Sequence, residues 1–405
     1  MSVANPDVAH PRRSFAFLLV ANFVWMVGLG LYVYFIGLYL INYLDVGPVE
    51  VGIYSSVLML SALLFIPLGG PLTARFGEKP LLIIGWASIL PAPLIYLLTP
   101  TWQWTLLGAV CEGSGMVAAG AMGSYISRVT GYRRRGLGYA VNSASYALAG
   151  IPGPVLGGLL ITEYSYAVVF LAAAGLYLIS TLIVLCISPV PRRQNGFQAR
   201  SWRHGSWKWS DLLSNRVFRA ATAVFGVTFG LYYIGSVFVP VFLADRFGLG
   251  EWDIGVLGSV LNASAALFGP LLGAIGDRWG HSRLVVLPVL GAVGFYGFLV
   301  FCTNWLFLVF AYIFYGLTTG LYALLGATIS RHLPQAEVSY AFVIFEFAGR
   351  LFTPVAPLLG GLAYTFNPVL PMIAISLLLP LPLSLVLLLH REEKRQGTPA
   401  LSRAM

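Results

Sequence analysis

The chain is a succession of long apolar runs parted by short polar breaks. Between Ser14 and His390 twelve runs appear, at 14–44 (α1), 48–74 (α2), 80–98 (α3), 102–129 (α4), 134–161 (α5), 166–189 (α6), 217–245 (α7), 251–275 (α8), 282–302 (α9), 304–331 (α10), 336–364 (α11) and 367–390 (α12). A membrane-crossing helix needs about 20 mostly apolar residues, and each run is near or above that length. Alternation with the period of a strand is absent, so the pattern predicts an all-α membrane protein, a helical bundle and not a barrel. One break is long, Pro189 to Arg216. It divides the chain into an expected six-helix bundle at 1–189, a linker at 190–216 and a second six-helix bundle with its tail at 217–405.

The two sets of six runs repeat each other. At one constant offset Glu50, Gly52 and Ser56 match Asp253, Gly255 and Ser259; Trp102 matches Trp305; Gly113 matches Gly316; and Ile126-Ser127-Arg128 matches Ile329-Ser330-Arg331. In α5 and α11, Pro154, Gly157 and Gly158 match Pro357, Gly360 and Gly361. Helices α1 and α7 share Gly-Leu-Tyr, at Gly30 to Tyr32 and Gly230 to Tyr232, at a slightly different offset that implies a small insertion between them. A doubling of this kind predicts two pseudo-symmetric bundles of the same orientation.

Composition agrees: 58% of the 405 residues are hydrophobic and 10% are charged, against about 25% charged in soluble domains. The net charge of +9 would suit nucleic acid, but the positions of the basic residues exclude it. With the N-terminus in the cytoplasm, every Lys and Arg except Arg246 and Arg350 falls on the cytoplasmic side, while Asp45, Glu50, Glu163, Asp245, Glu251 and Asp253 fall on the other. The positive-inside rule therefore predicts a multi-pass protein of the cell membrane with both termini cytoplasmic. The linker, rich in Arg and carrying Trp202, Trp207 and Trp209, is expected to lie along the lipid headgroups. Cys111, Cys186 and Cys302 sit in apolar runs and read as packing residues. No Gly-x-x-x-x-Gly-Lys string, metal-spaced His/Cys cluster or Ser-His-Asp candidate occurs. An enzyme, a metal site and a bound cofactor are thus not expected.

The corners after α2 and α8 carry the most specific string. The second reads Gly273, Asp277, Arg278, Gly280 and Arg283, and the first Gly70, Leu72, Arg75, Gly77 and Lys79, with Ala74 at the Asp position and Glu78 where Arg is usual. Doubled and in register, these corners make the whole chain resemble the major facilitator superfamily of secondary transporters, whose signature is approximately Gly-x-Leu-x-Asp-Arg-x-Gly-Arg-Lys. In α5, Gly153, Pro154, Gly157 and Gly158 resemble a motif of its drug:proton antiporter families. The resemblance implies a twelve-helix fold working by alternating access. It also implies that Gly70, Arg75, Gly77, Gly273, Asp277, Arg278 and Gly280 form a conformational latch. By pseudo-symmetry Asp277 should face the start of α5, near Arg133 to Arg135, whereas Ala74 leaves the other latch weaker.

Charge inside a bilayer is costly and marks a pathway or a pair. Three residues qualify: Glu112 in α4, and Glu346 and Arg350 one turn apart in α11, whose repeat counterparts Tyr315, Ser143 and Ala147 are uncharged. In the superfamily helices 1, 4, 7 and 10 line the central cavity, which implies that Glu112 carries the coupling proton, with Glu346 the second candidate. Glu346 equally reads as a structural partner of Arg350, and Arg350 as an anchor for an anionic substrate. Asn22, Trp25, Tyr32, Tyr34, Asn142, Tyr146, Tyr232, Tyr233, Asn262 and Tyr315 complete a set of candidate substrate contacts suited to a moderately hydrophobic organic molecule.

The expected function is proton-coupled export of a small organic molecule, driven by the proton gradient, by a monomer in contact with membrane lipid. Uptake of an anionic metabolite, and a receptor or scaffold on the same fold, remain alternatives. The topology is checked directly: a peptide tag added after Met405 should be reached by antibody only after the cells are permeabilised.

Overall fold

The computed structural model describes residues 10–130, 135–190, 209–333 and 338–396, and among them every regular element is helical. Eleven helices are long and apolar enough to cross a membrane: α1 Pro11–Tyr43, α2 Pro48–Phe76, α3 Glu78–Leu98, α4 Trp102–Thr130, α5 Val141–Glu163, α6 Tyr166–Leu185, α7 Arg216–Phe247, α8 Glu251–Trp279, α9 His281–Phe301, α10 Trp305–His332 and α12 Leu370–Arg395. Helix α5 continues back to Arg135. The remaining helix, α11, comes in two pieces, Val338–Gly349 and Ala356–Phe366.

Local chemistry explains the ends and breaks. Helix α2 opens with Pro48 in its first turn, where a missing N–H costs nothing. It closes at Gly77 with φ 90°, and α8 closes at Gly280 with φ 94°, backbone that glycine adopts without strain. Expected as one helix, α11 parts because Pro354 cannot donate to the Arg350 carbonyl. The Thr353 hydroxyl donates to that oxygen instead, at 2.8 Å. Helices α4 and α10 both tighten into a turn of 3-10 helix part-way, at Gly115–Ala118 and Gly316–Thr319.

The chain divides into two compact units, Met1–His204 with Pro240–Ser259, and Gly205–Val239 with Val260–Met405. The α7–α8 corner thus groups with the first six helices. Within each unit the repeat is visible as backbone contact. A Cβ added at Gly157 of α5 would stand 2.0 Å from the Leu31 carbonyl oxygen of α1, and one at Gly360 of α11 would stand 1.8 Å from the Ile234 oxygen of α7. These pairs keep the offset of the other helices. Packing therefore aligns Leu31 with Ile234, and the shared Gly-Leu-Tyr string does not mark the structural register of α1 against α7.

Close approach of this kind replaces hydrophobic driving force between helices in lipid. Gly157→Ala is expected to destabilise the fold by about 1 to 3 kcal/mol, the usual cost of overpacking. Gly175→Ala in α6, where an added Cβ meets nothing within 4 Å, should be neutral. Thermal unfolding of the two variants in the same detergent compares them.

Candidate functional site

Glu112 is reached from four other helices. Tyr32 of α1 donates to its Oε1 at 2.5 Å, and Tyr96 of α3 donates to the same oxygen at 3.1 Å. Behind them the Tyr177 hydroxyl of α6 lies 2.9 Å from that of Tyr32, and the Tyr54 hydroxyl of α2 lies 2.9 Å from that of Tyr96. Glycines seat the rings. One turn before Glu112, a Cβ at Gly108 would fall 2.2 Å from the Tyr96 ring, and at Gly28 one would fall 3.1 Å from that of Tyr177. Among the described residues no cation forms an ion pair with Glu112. Tyr54, Tyr96 and Tyr177 were not legible as site residues: they are three of 21 tyrosines, and none lies on the four helices that the resemblance implies line the cavity.

The other predicted contacts of the first unit adjoin this group. Asn22 donates to Asn142 Oδ1 at 2.6 Å across α1 and α5. Trp25 stacks on Tyr177 with ring centroids 6.1 Å apart and meets Tyr146 edge-on at 6.4 Å. The Nε1 of Trp25 and the Oδ1 of Asn22 are buried with no hydrogen-bond partner, so a donor and an acceptor one turn apart on α1 stand open to a ligand or water. The Tyr34 ring lies elsewhere, against Gly258.

In the second unit the carboxylate position is filled by Tyr315, stacked on Phe295 at 4.0 Å and on Tyr232 at 5.8 Å, with Tyr233 edge-on to Tyr232 at 4.9 Å. Asn262 is half-buried on α8. Glu346 and Arg350 pair with each other, Nε to Oε2 at 2.7 Å. The guanidinium carbon lies 5.8 Å from the centre of the Phe229 ring, and Arg350 is the first residue of the α11 break.

At the corners the carboxylates form their ion pairs within their own units. Asp277 meets Arg331 of α10 at 3.3 Å and His281 at 3.4 Å, inside its own unit; Arg133 and Arg134 lie outside the described residues. In the first unit Arg128, the repeat counterpart of Arg331, is held at 2.8 Å by Glu78, which also accepts from Ser124 at 2.8 Å. The carboxylate lost at Ala74 has therefore moved one turn, from the end of α2 to the first turn of α3, where it also meets the positive end of that helix. Arg75 and Arg278 are exposed, Gly70 is partly so, and a Cβ at Gly273 meets nothing within 4 Å among the described residues.

Helix α5 breaks at Ile151 between Arg135–Gly150 and Pro152–Glu163. Ser259 of α8 inserts its hydroxyl into the opening, donating to the Ile151 carbonyl at 2.7 Å and accepting from the Val155 N–H at 3.2 Å. It thus replaces the hydrogen bond that those two groups would share in an unbroken helix. Beside it α5 and α8 touch through backbone, with a Cβ at Gly158 falling 2.4 Å from the Glu251 oxygen and one at Gly255 falling 2.5 Å from that of Pro154. Gly153 meets Gly30 of α1 in the same way.

A family model described as Major Facilitator Superfamily matches residues 18–303 and 231–404. The chain belongs to the major facilitator superfamily. It is 24% identical over 357 residues to the multi-drug resistance efflux pump PmrA of Streptococcus pneumoniae, covering 83% of this chain and 86% of that one. It is 26% identical over 273 residues to the class B tetracycline resistance protein of Escherichia coli, covering 63% and 64%. Among solved structures a bacterial homolog of the human lysosomal transporter Spinster, inward-facing and unoccupied, superposes with a TM-score of 0.76 at 14% identity, over 96% of this chain and 99% of that one. The nucleoside transporter NupG, as its D323A mutant, gives 0.73 at 14% over 94% and 99%. This superfamily member is a multi-pass membrane transporter and not an enzyme, close to the drug:proton antiporters.

The relocated carboxylate can be tested by moving it back. Glu78→Ala should destabilise the protein by about 1 to 3 kcal/mol, less than a fully buried pair loses, because the Arg128 side chain is 24% exposed. Ala74→Asp on that background should restore part of the loss, read as recovery of the melting temperature.

Proposed function

We propose that this superfamily member exports small organic molecules in exchange for protons, with Glu112 as the group that binds the proton. The supporting observation is the kind of partner Glu112 has. A carboxylate held by neutral hydroxyls can be charged or protonated without breaking an ion pair, whereas Glu346 is committed to Arg350 at 2.7 Å. Intramembrane carboxylates mark proton pathways, and in alternating access one site faces the two sides in turn. Facing outward, Glu112 takes a proton and substrate leaves; facing the cytoplasm, it releases the proton and substrate enters. Trp25, Tyr146, Asn22 and Asn142 offer rings and amide groups to a partly apolar substrate. Relatives named for multidrug and tetracycline resistance support the direction and the substrate class. The reading of Arg350 as an anion anchor is the weaker one, since its charge is already balanced by Glu346.

The test is transport in sealed vesicles with an imposed pH gradient, using tetracycline and ethidium as probes. Wild-type protein should accumulate a probe against its concentration when the gradient is imposed. Glu112→Gln should lose that accumulation, by tenfold or more, while still binding the probe. Gradient-driven accumulation that survives in Glu112→Gln would overturn the assignment.

A further inference from the structure

Two hydroxyls touch Glu112, yet four tyrosines close around it, and among the described residues the outer two hydroxyls bond only to the inner two. Each phenol carries one proton. Tyr32 and Tyr96 spend theirs on Glu112 Oε1, so in the 2.9 Å contacts behind them Tyr177 must donate to Tyr32, and Tyr54 to Tyr96. All four O–H dipoles then run toward one oxygen along two separate paths. Linked hydrogen bonds polarise one another in a low dielectric, so an outer hydroxyl strengthens the donor in front of it.

We propose that Tyr54 and Tyr177 are positioning residues that act on Glu112 only through Tyr96 and Tyr32, as two converging hydroxyl relays. This rests on the reading of Glu112 as the proton-binding group. The titratable groups facing it are Tyr32 from α1, Tyr54 from α2, Tyr96 from α3 and Tyr177 from α6, with Cys111 beside it on α4. No Lys, Arg, His or second carboxylate pairs with it among the described residues. The relays therefore stand where a cation would in an ordinary buried pair. Each relay is also tied to a further aromatic residue: the outer Tyr177 stacks on Trp25, and the inner Tyr96 accepts at its carbonyl from the Tyr39 hydroxyl at 2.8 Å.

The experiment follows the carboxyl C=O band of the full chain in lipid nanodiscs by infrared difference spectroscopy across pH, with the band assigned by its loss in Glu112→Gln. Tyr→Phe removes one oxygen and keeps the ring. Tyr54→Phe and Tyr177→Phe should each displace the midpoint of the band by about two- to tenfold in proton affinity, the effect of one hydrogen bond. Tyr54→Phe should add nothing in a Tyr96→Phe protein, and Tyr177→Phe nothing in a Tyr32→Phe protein, while the two outer changes together should give their sum. Outer variants that leave the midpoint in place, or that act equally whether or not the inner tyrosine is present, would overturn the relays. If one variant does not fold, the other arm is an independent copy of the test. Vesicle transport separates the two readings: accumulation retained in Glu112→Gln removes the coupling role and leaves the relays to stand or fall on the band. Independent effects of Tyr54 and Tyr96 remove the relays and leave the coupling role intact.

Discussion

A carboxylate inside a membrane helix must find hydrogen bonds within the protein, because lipid offers none and an unpaired charge there is costly. In this transporter the requirement gathers α1, α2, α3 and α6 around one oxygen of α4. The Tyr32 bond at 2.5 Å and the Tyr96 bond at 3.1 Å fix where those helices must stand, and the ring seats at Gly108 and Gly28 follow from that. The equivalent place in the second unit shows the alternative. With Tyr315 there, no charge needs satisfying, and the neighbourhood relaxes into stacked rings with Phe295 and Tyr232.

The two units thus share a scaffold and differ in chemistry. Scaffold is carried by backbone contacts that recur in register, Gly157 on Leu31 and Gly360 on Ile234. Chemistry is carried by side chains that break the register: Glu112 against Tyr315, and Glu346 with Arg350 against Ser143 and Ala147. A salt bridge between adjacent turns, as in Glu346 and Arg350, neutralises itself. A carboxylate among hydroxyls leaves its charge state open, and an open charge state is what coupling to a proton requires.

The fold was legible because each physical demand of a bilayer leaves a long trace: run length, basic residues on one side, small residues at helix contacts. Glu112 was legible for the same reason, as a charge with no local partner. Of its tyrosine shell only Tyr32 was singled out, since the hydroxyls come from four helices whose mutual rotation no local pattern encodes. The break in α11 was foreseeable from Pro354 and the break in α5 from Pro152 and Pro154, but the hydroxyl that heals the second, Ser259, lies on another helix. The Gly-Leu-Tyr match between α1 and α7 misled because three shared letters weigh less than one backbone contact in fixing a register.

The α2–α3 corner shows how a motif can fail by letter and hold by physics. Reading Ala74 against Asp277 implies a missing carboxylate and a weak corner. Yet Arg128 is held at 2.8 Å by Glu78, while Arg331 is held at 3.3 Å by Asp277. Both arginines end helices that must be tied to the corner beside them, and either neighbouring turn can supply the anion. The first unit uses a buried glutamate in the opening turn of α3; the second uses an aspartate whose side chain is 71% exposed and which also lies 3.4 Å from His281. A buried pair with a serine donor is screened less by water than an exposed one. The corner that looks degenerate in sequence is therefore the more firmly tied of the two.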